Sequence, residues 1–224
     1  MKNIEKLEKE TNRDYAFRVM RNNIVNLELT PGSMLSEQDI AEELHLSRTP
    51  VHEALQELAR TTIIEILPQK GSLVSLVDMN KVDEAVFLRS TIESAITEEA
   101  CKIATEEDIR SLEENISLQD FYHDQNSIDK IMELDNAFHE KMYKITNKMQ
   151  CHYVVKLMNI HYDRFREMKL HALENKPIID EHKEILQTFI QKNPKKAKEL
   201  VLSHINRLYI DEKEIRSKYP TFFL

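Results

Sequence analysis

The chain has 224 residues, of which 41% are hydrophobic and 31% charged, with a net charge of −8. That length allows one large domain or two small ones, and the balance is that of a soluble globular protein. No apolar run reaches the roughly 18 residues that mark a membrane helix, and the opening MKNIEKLEKETNRD lacks the apolar stretch of a secretion signal. Only two glycines, set among long stretches rich in Ala, Glu, Lys and Leu, favour helix. Cys101 and Cys151 fall in helical patterns and are expected as free thiols in a reducing cytoplasm. Charge alone argues against nucleic acid, because residues 1–76 carry nine Lys and Arg against twelve Asp and Glu.

In chain order, residues 1–11 are charged and expected to be mobile. From about Asn12 to Leu29, the spacing of Tyr15, Val19, Ile24 and Leu27 predicts a first helix, stopped by Thr30-Pro31-Gly32. Residues 36–59, SEQDIAEELHLSRTPVHEALQELA, then hold two short helical patterns joined at His45-Leu46. Ser36 with Asp39 three positions on makes a capping-box-like start, and Ile40, Ala41 and Leu44 share one face. The second pattern starts at Ser47, tolerates Pro50 in its first turn, and buries Val51, Ala54, Leu55 and Leu58. Arg48, Thr49, His52, Glu53 and Gln56 are left exposed. This is the layout of a helix-turn-helix whose second helix offers its first residues to DNA, although the same spacing also fits a helical hairpin in a core. Two β-rich runs follow, Ile63–Leu67 and Ser72–Leu76, around the turn Pro68-Gln69-Lys70-Gly71. A helix pair followed by a two-stranded hairpin is a winged helix.

Pro31-Gly32, Leu35, Glu37, Ala41, Leu44, Ser47-Arg48-Thr49-Pro50-Val51, Glu53-Ala54-Leu55, Leu58 and Gly71 come in order and without gaps. Over residues 12–77 the chain resembles the DNA-binding domain of the GntR family of bacterial transcription regulators. The resemblance implies contact with double-stranded operator DNA through Gln38, Ser47, Arg48, Thr49, His52, Lys70 and Gly71. The family usually has arginine where this chain has Gln38 and His52. Neither replacement copies the two-pronged arginine contact to guanine, so an altered or less guanine-dependent operator, or weaker binding, is expected. The acidic balance adds a strong dependence on dimerisation and salt.

The boundary is expected at 77–78, giving domains 1–77 and 78–224. Asp78 can cap a helix over Met79–Ile103 and Thr105 the next. Further helical patterns run over about 128–146, 148–173, 177–192 and 194–217. The fold class is therefore mainly α: an amino-terminal winged helix-turn-helix and a carboxy-terminal all-α bundle of about six helices.

Polar residues fall on the apolar stripes of that bundle. Asp135 and His139, four apart, share the stripe of Ile128, Ile131, Met132, Phe138 and Met142. His182 lies with Ile178, Leu186 and Phe189, and His204 with Ala197, Leu200, Val201 and Leu208. Burying four such groups alone costs several kcal/mol, roughly, unless something pairs with them. A divalent zinc, nickel or manganese ion would satisfy all four. The alternative is four separately hydrogen-bonded core residues. Arg89 lies on the stripe of Val82, Val86, Ile96 and Ala100. Its partner is either Glu93, one turn on, or the carboxylate of a small organic acid. His123, His152, His161 and His171 read as surface or packing residues, and Met142, Met158 and Met168 as core filler.

The segments LDNAFHEKMY, IIDEHKEIL and LVLSHINRL make residues 79–215 similar to the FCD ligand-sensing domain of the FadR subgroup. Its metal-binding branch implies Asp135, His139, His182 and His204 as ligands. The combined expectation is a homodimeric, cytoplasmic, non-enzymatic regulator, most simply a repressor, with no catalytic residues and no membrane segment. A small carboxylate effector would bind at the metal and at Arg89. The alternatives are a metal-dependent hydrolase or decarboxylase using the same cluster, and a regulator whose metal is purely structural.

Overall fold

The computed structural model describes residues 1–2, 4–173 and 175–224. By its internal contacts the chain divides into two units. The first is Met1–Val82 with Ile160–Met168 and Arg216–Leu224, and the second is Asp83–Asn159 with Lys169–Ile215.

The first unit holds α1 (Asn12–Val25), β1 (Met34–Leu35), α2 (Glu37–Glu43), α3 (Arg48–Arg60), β2 (Ile64–Leu67) and β3 (Gly71–Val74). Ala16, Val19, Met20 and Ile24 of α1 join Val51, Ala54, Leu55 and Leu58 of α3 in a core that excludes solvent completely. Cutting any one of the large aliphatic side chains here to alanine costs about 2–5 kcal/mol. Ser36 caps α2 by accepting from the Asp39 N–H. His45, with φ at 54°, makes the turn between α2 and α3.

The sheet has three antiparallel strands in the order β1-β3-β2, one more than the expected hairpin. β1 is two residues long, too short to show any alternation in sequence. Gly71 is required where the wing folds back. Its φ is +106°, and a Cβ there would lie 2.8 Å from the Leu35 carbonyl oxygen.

One other expectation for this unit is corrected. α1 ends at Val25 rather than Leu29, because Leu27 turns left-handed with φ at 58° before the proline is reached. The segment before α1 is largely exposed but tied to the unit at several described residues. The Met1 amine meets Glu43 at 2.7 Å, the Lys2 N–H donates to Asn23 Oδ1 at 2.6 Å, and Arg18 binds Glu10 and the Glu5 carbonyl. Met1 and Ile4 lie against the apolar core.

Two distant segments belong to the same unit, so a single cut at 77–78 does not separate the two sets of contacts. The Val77 N–H donates to the Phe222 carbonyl, and the Leu224 N–H donates back to Val77. Arg216 lies over the Phe223 ring at 4.8 Å. Arg164 is fully buried and donates to the Ser75 carbonyl. Burial lowers its pKa to about 10. His161 meets the Thr62 hydroxyl at 3.2 Å.

Asp78 accepts from the Asn80 N–H where α4 (Met79–Ile103) begins. The remaining helices are α5 (Glu106–Asp124), α6 (Ile128–Ile145), α7 (Met149–Met158), α8 (Ile160–Ala172), α9 (Lys176–Ile190), α10 (Pro194–Asn206) and α11 (Leu208–Lys218). All six expected helical stretches are present, but two are broken by a single residue, giving eight helices after residue 78 among those described. Asn159 interrupts 148–173. At Arg207 the N–H reaches back only three residues to His204, which interrupts 194–217. Thr105 and Asp108 form a full capping box, and Asn193 caps α10 ahead of Pro194. Among the described residues no helix is long and apolar enough to cross a membrane.

Candidate metal centre and nucleic-acid interface

The second unit's centre is built from three helices. One turn of α6 supplies Asp135 and His139, α9 supplies His182, and α10 supplies His204. One ligand atom from each of the four lies within 4.8 Å of every other. His139 Nε2 and His204 Nε2 are 3.2 Å apart, and His182 Nε2 is 3.6 Å from Asp135 Oδ1. His182 is wholly buried and stacks on Phe138 at 4.1 Å, while His139 and Asp135 are nearly as buried.

The Nδ1 sides of the three rings decide what the Nε2 sides can do. His139 Nδ1 faces Glu93 Oε2 at 2.9 Å, His182 Nδ1 faces Gln119 Oε1 at 2.9 Å, and His204 Nδ1 faces Glu181 Oε2 at 2.8 Å. Each partner is an acceptor, so each Nδ1 carries the hydrogen and each Nε2 presents a lone pair. This is the outer arrangement that metal-binding histidines use. Two Nε2 lone pairs 3.2 Å apart repel unless a proton or a cation lies between them. Metal–nitrogen bonds of about 2.0–2.1 Å give neighbouring nitrogens a separation of about 3.0–3.4 Å. The residues present therefore fit a divalent ion.

The supporting carboxylates are themselves held. Burial raises the Glu93 carboxyl, but the charges and hydrogen bonds of Arg89 and His139 outweigh it and keep Glu93 below the usual carboxylate range. Arg89 Nε donates to Glu93 Oε1 at 2.8 Å, so the Glu93 pairing expected as one option for Arg89 is present. Burial, followed by the Arg89 charge, lowers His139 and keeps it neutral. Burial likewise opposes ionisation of Glu181, and hydrogen bonds from His204 and Arg207 reverse the balance. From Glu181 the chain of polar contacts runs to Arg207 at 2.7 Å, then Asp211 at 3.7 Å, then Lys169 of α8 at 2.5 Å.

Sequence reasoning missed Gln119 and Glu181. Gln119 was findable, since it shares the buried stripe of Leu112 and Ile116. Glu181 had no signal, being one more glutamate on an amphipathic helix. Of the other histidines, His161 is buried, and burial with the Arg164 and Lys81 charges pushes it down to about 4.

In the first unit Arg48, Thr49 and His52 stand exposed at the start of α3, with Gln38 exposed on α2. Gln38, Arg48, Lys70 and Gly71 line one open cleft of about 650 Å³ between α2 and the wing. Ser47 lines a separate depression beside Arg13 and Glu53, and Thr49 lines neither of the two. Gln38 accepts from Arg48 and donates to Glu42, while His52 Nδ1 meets Glu37 at 2.7 Å.

Residues 14–74 match the family model for bacterial regulatory proteins of the gntR family, and residues 84–207 match the FCD domain. The HTH-type transcriptional repressor RspR of Escherichia coli K12 is 27% identical over 208 residues, which are 92% of this chain and 91% of that one. A Streptomyces ambofaciens HTH-type regulator in an unstable DNA locus is 28% identical over 95% of this chain and 90% of its own. Among solved structures, E. coli McbR/YncC superposes with a TM-score of 0.77 at 18% identity, covering 94% of this chain and 99% of that one. A GntR regulator from Rhodococcus sp. RHA1 gives 0.74 at 20% identity, covering 93% and 99%. At those identities the structures speak for the fold alone. The amino-terminal winged helix and the helical unit that follows thus make the chain a member of the gntR family of bacterial transcription regulators, with an FCD domain as its second part.

Proposed function

We propose that the chain represses transcription as a homodimer whose grip on operator DNA is set by a small carboxylate bound at a metal centre. Asp135, His139, His182 and His204 would hold the ion, with zinc, nickel and manganese all compatible with that donor set. The carrying observation is that three imidazoles, each with its Nδ1 against an acceptor, converge with a carboxylate inside 4.8 Å. The ion would supply a positive centre able to bind an acid's oxygens. Arg89, already paired with Glu93, supplies a second cationic group on α4.

A regulatory role is favoured over an enzymatic one. The carboxylates nearest the cluster, Glu93 and Glu181, are engaged by Arg89 and Arg207 as well as by the histidines, and neither is placed to act as a general base. Control by an effector requires that it bind one arrangement of the protein better than another. α8 is shared by both units along the chain: its Lys169, in the second, ends the polar chain that starts at His204, and its His161 and Arg164, in the first, bond Thr62 and Ser75 there. Dimerisation is supported by α7, where Met149, Tyr153, Val154, Leu157 and Met158 form one exposed apolar stripe.

Two experiments test the reading. Elemental analysis of untagged protein should find about one divalent ion per chain, lost in the His139→Ala, His204→Ala variant. A metal-free wild type whose melting point no ion raises would remove the centre. Arg48→Ala should abolish specific operator binding at unchanged stability, and unchanged binding would remove Arg48 from the reading role.

A further inference from the structure

The amino-terminal domain is acidic overall, and two glutamates of α2 sit among the very residues that would meet DNA. Glu42 Oε1 accepts from Gln38 Nε2 at 2.9 Å, and Gln38 Oε1 accepts from the Arg48 guanidinium. These two neighbours fix which way the Gln38 amide points. Turning it over would set an NH₂ against a guanidinium and an oxygen against a carboxylate, and both contacts would repel. Both ends of Gln38 are therefore in use. A two-pronged contact from Gln38 to an adenine edge would have to use the second amide hydrogen and the second carbonyl lone pair, and keep the amide plane that Glu42 and Arg48 set.

Arg48 is in the opposite position. A guanidinium has five N–H donors in a rigid fork, and Gln38 takes one of them. What remains is enough for a two-pronged contact to guanine O6 and N7, and the fork is held at the head of α3, where base edges are reached. The chemistry at position 38 matters here. A carboxylate would neutralise Arg48 and compete with DNA for it. An amide holds the guanidinium without neutralising it, and Glu42 keeps that amide turned the right way.

We propose that Gln38 is a positioning residue that aims Arg48 at a guanine, with Glu42 setting the orientation of Gln38. This rests on the DNA-reading role given to Arg48 above. Gln38 contributes selectivity at the base pair that Arg48 reads, and reads none of its own. The acidic side chains of α2 thus serve as a frame for the reading arginine.

The test uses the full chain. Duplexes with a randomised centre are enriched on the wild type, and the selected duplex is then substituted one base pair at a time. Binding is titrated at two salt concentrations for wild type, Gln38→Ala, Arg48→Ala, the double variant and Glu42→Ala. Thermal melts confirm that each variant folds. Arg48→Ala should erase the preference for guanine at one position. Gln38→Ala should weaken that same preference by about tenfold, leaving other positions and the salt dependence unchanged. Glu42→Ala should move the same position by a smaller factor, and the double variant should match Arg48→Ala alone. The proposal is overturned if Gln38→Ala alters a different base pair, weakens all sequences equally, or changes nothing. If the wild type enriches no sequence, the DNA-reading role itself falls, a result distinct from any of these.

Discussion

The two candidate sites are built in opposite ways. At the candidate DNA-facing site Arg48, His52, Gln38 and Lys70 stand in solvent, and the first three are held by one or two neighbours each. At the candidate metal centre Asp135, His139 and His182 are buried, and each ring is held from behind by an acceptor that is itself engaged. An exposed site can lose a side chain with little effect on folding, because water replaces what was removed. A buried polar site cannot, because its remaining partners stay desolvated. Stability therefore reports on the second site, and sequence-selective binding reports on the first.

Breaking the buried frame should give the largest effect. Glu93→Ala removes the carboxylate shared by Arg89 and His139, and should cost about 3–5 kcal/mol by chemical denaturation. A loss below 1 kcal/mol would mean the pair is not desolvated. His182→Ala opens a cavity beside Phe138 and deprives the Gln119 side-chain oxygen of its partner, for about 3–4 kcal/mol. It should also erase the gain in stability from a divalent ion, which for the wild type reaches about 2.7 kcal/mol at a hundredfold excess over Kd. A wild type indifferent to every ion tested would turn the cluster into ordinary core.

In the first unit the buried group that titrates below neutral pH is His161. His161 is neutral when folded, with a pKa near 4 against an ordinary 6.5. Below about 6.5 the unfolded chain takes up a proton that the folded chain refuses. Stability should thus be intact above that pH and fall by up to about 3 kcal/mol as pH drops towards 4. His161→Gln should flatten this part of the profile; an unchanged slope would assign it to other groups. The smallest change concerns the turn between the helices. His45 is exposed and held left-handed, so His45→Gly should gain about 1 kcal/mol in melting experiments without altering DNA selectivity.

The same contrast explains what the sequence disclosed. The helix-turn-helix was legible because α2 and α3 alternate buried and exposed residues at helical spacing, with Ser36 and Ser47 marking their starts. The convergence of Asp135, His139, His182 and His204 was legible for the reverse reason: the four break the apolar stripes they stand on. What stayed hidden depended on proximity that no periodicity encodes. Examples are Glu181 behind His204, the return of Phe222 and Leu224 to Val77, and the docking of Met1 and Lys2 on Glu43 and Asn23. The breaks at Asn159 and Arg207 also escaped, since neither is a proline or a glycine and the helical pattern continues past both.

The hydrogens at the three imidazoles have a thermochemical consequence. With every Nδ1 hydrogen already committed to Glu93, Gln119 or Glu181, the one hydrogen an arriving ion would have to displace is a proton shared between the Nε2 atoms of His139 and His204. The heat of its capture should therefore differ between phosphate and Tris, two buffers whose own ionisation heats differ widely, by no more than the uptake of a single proton. A calorimeter would read the coordination with at most that one transfer to subtract.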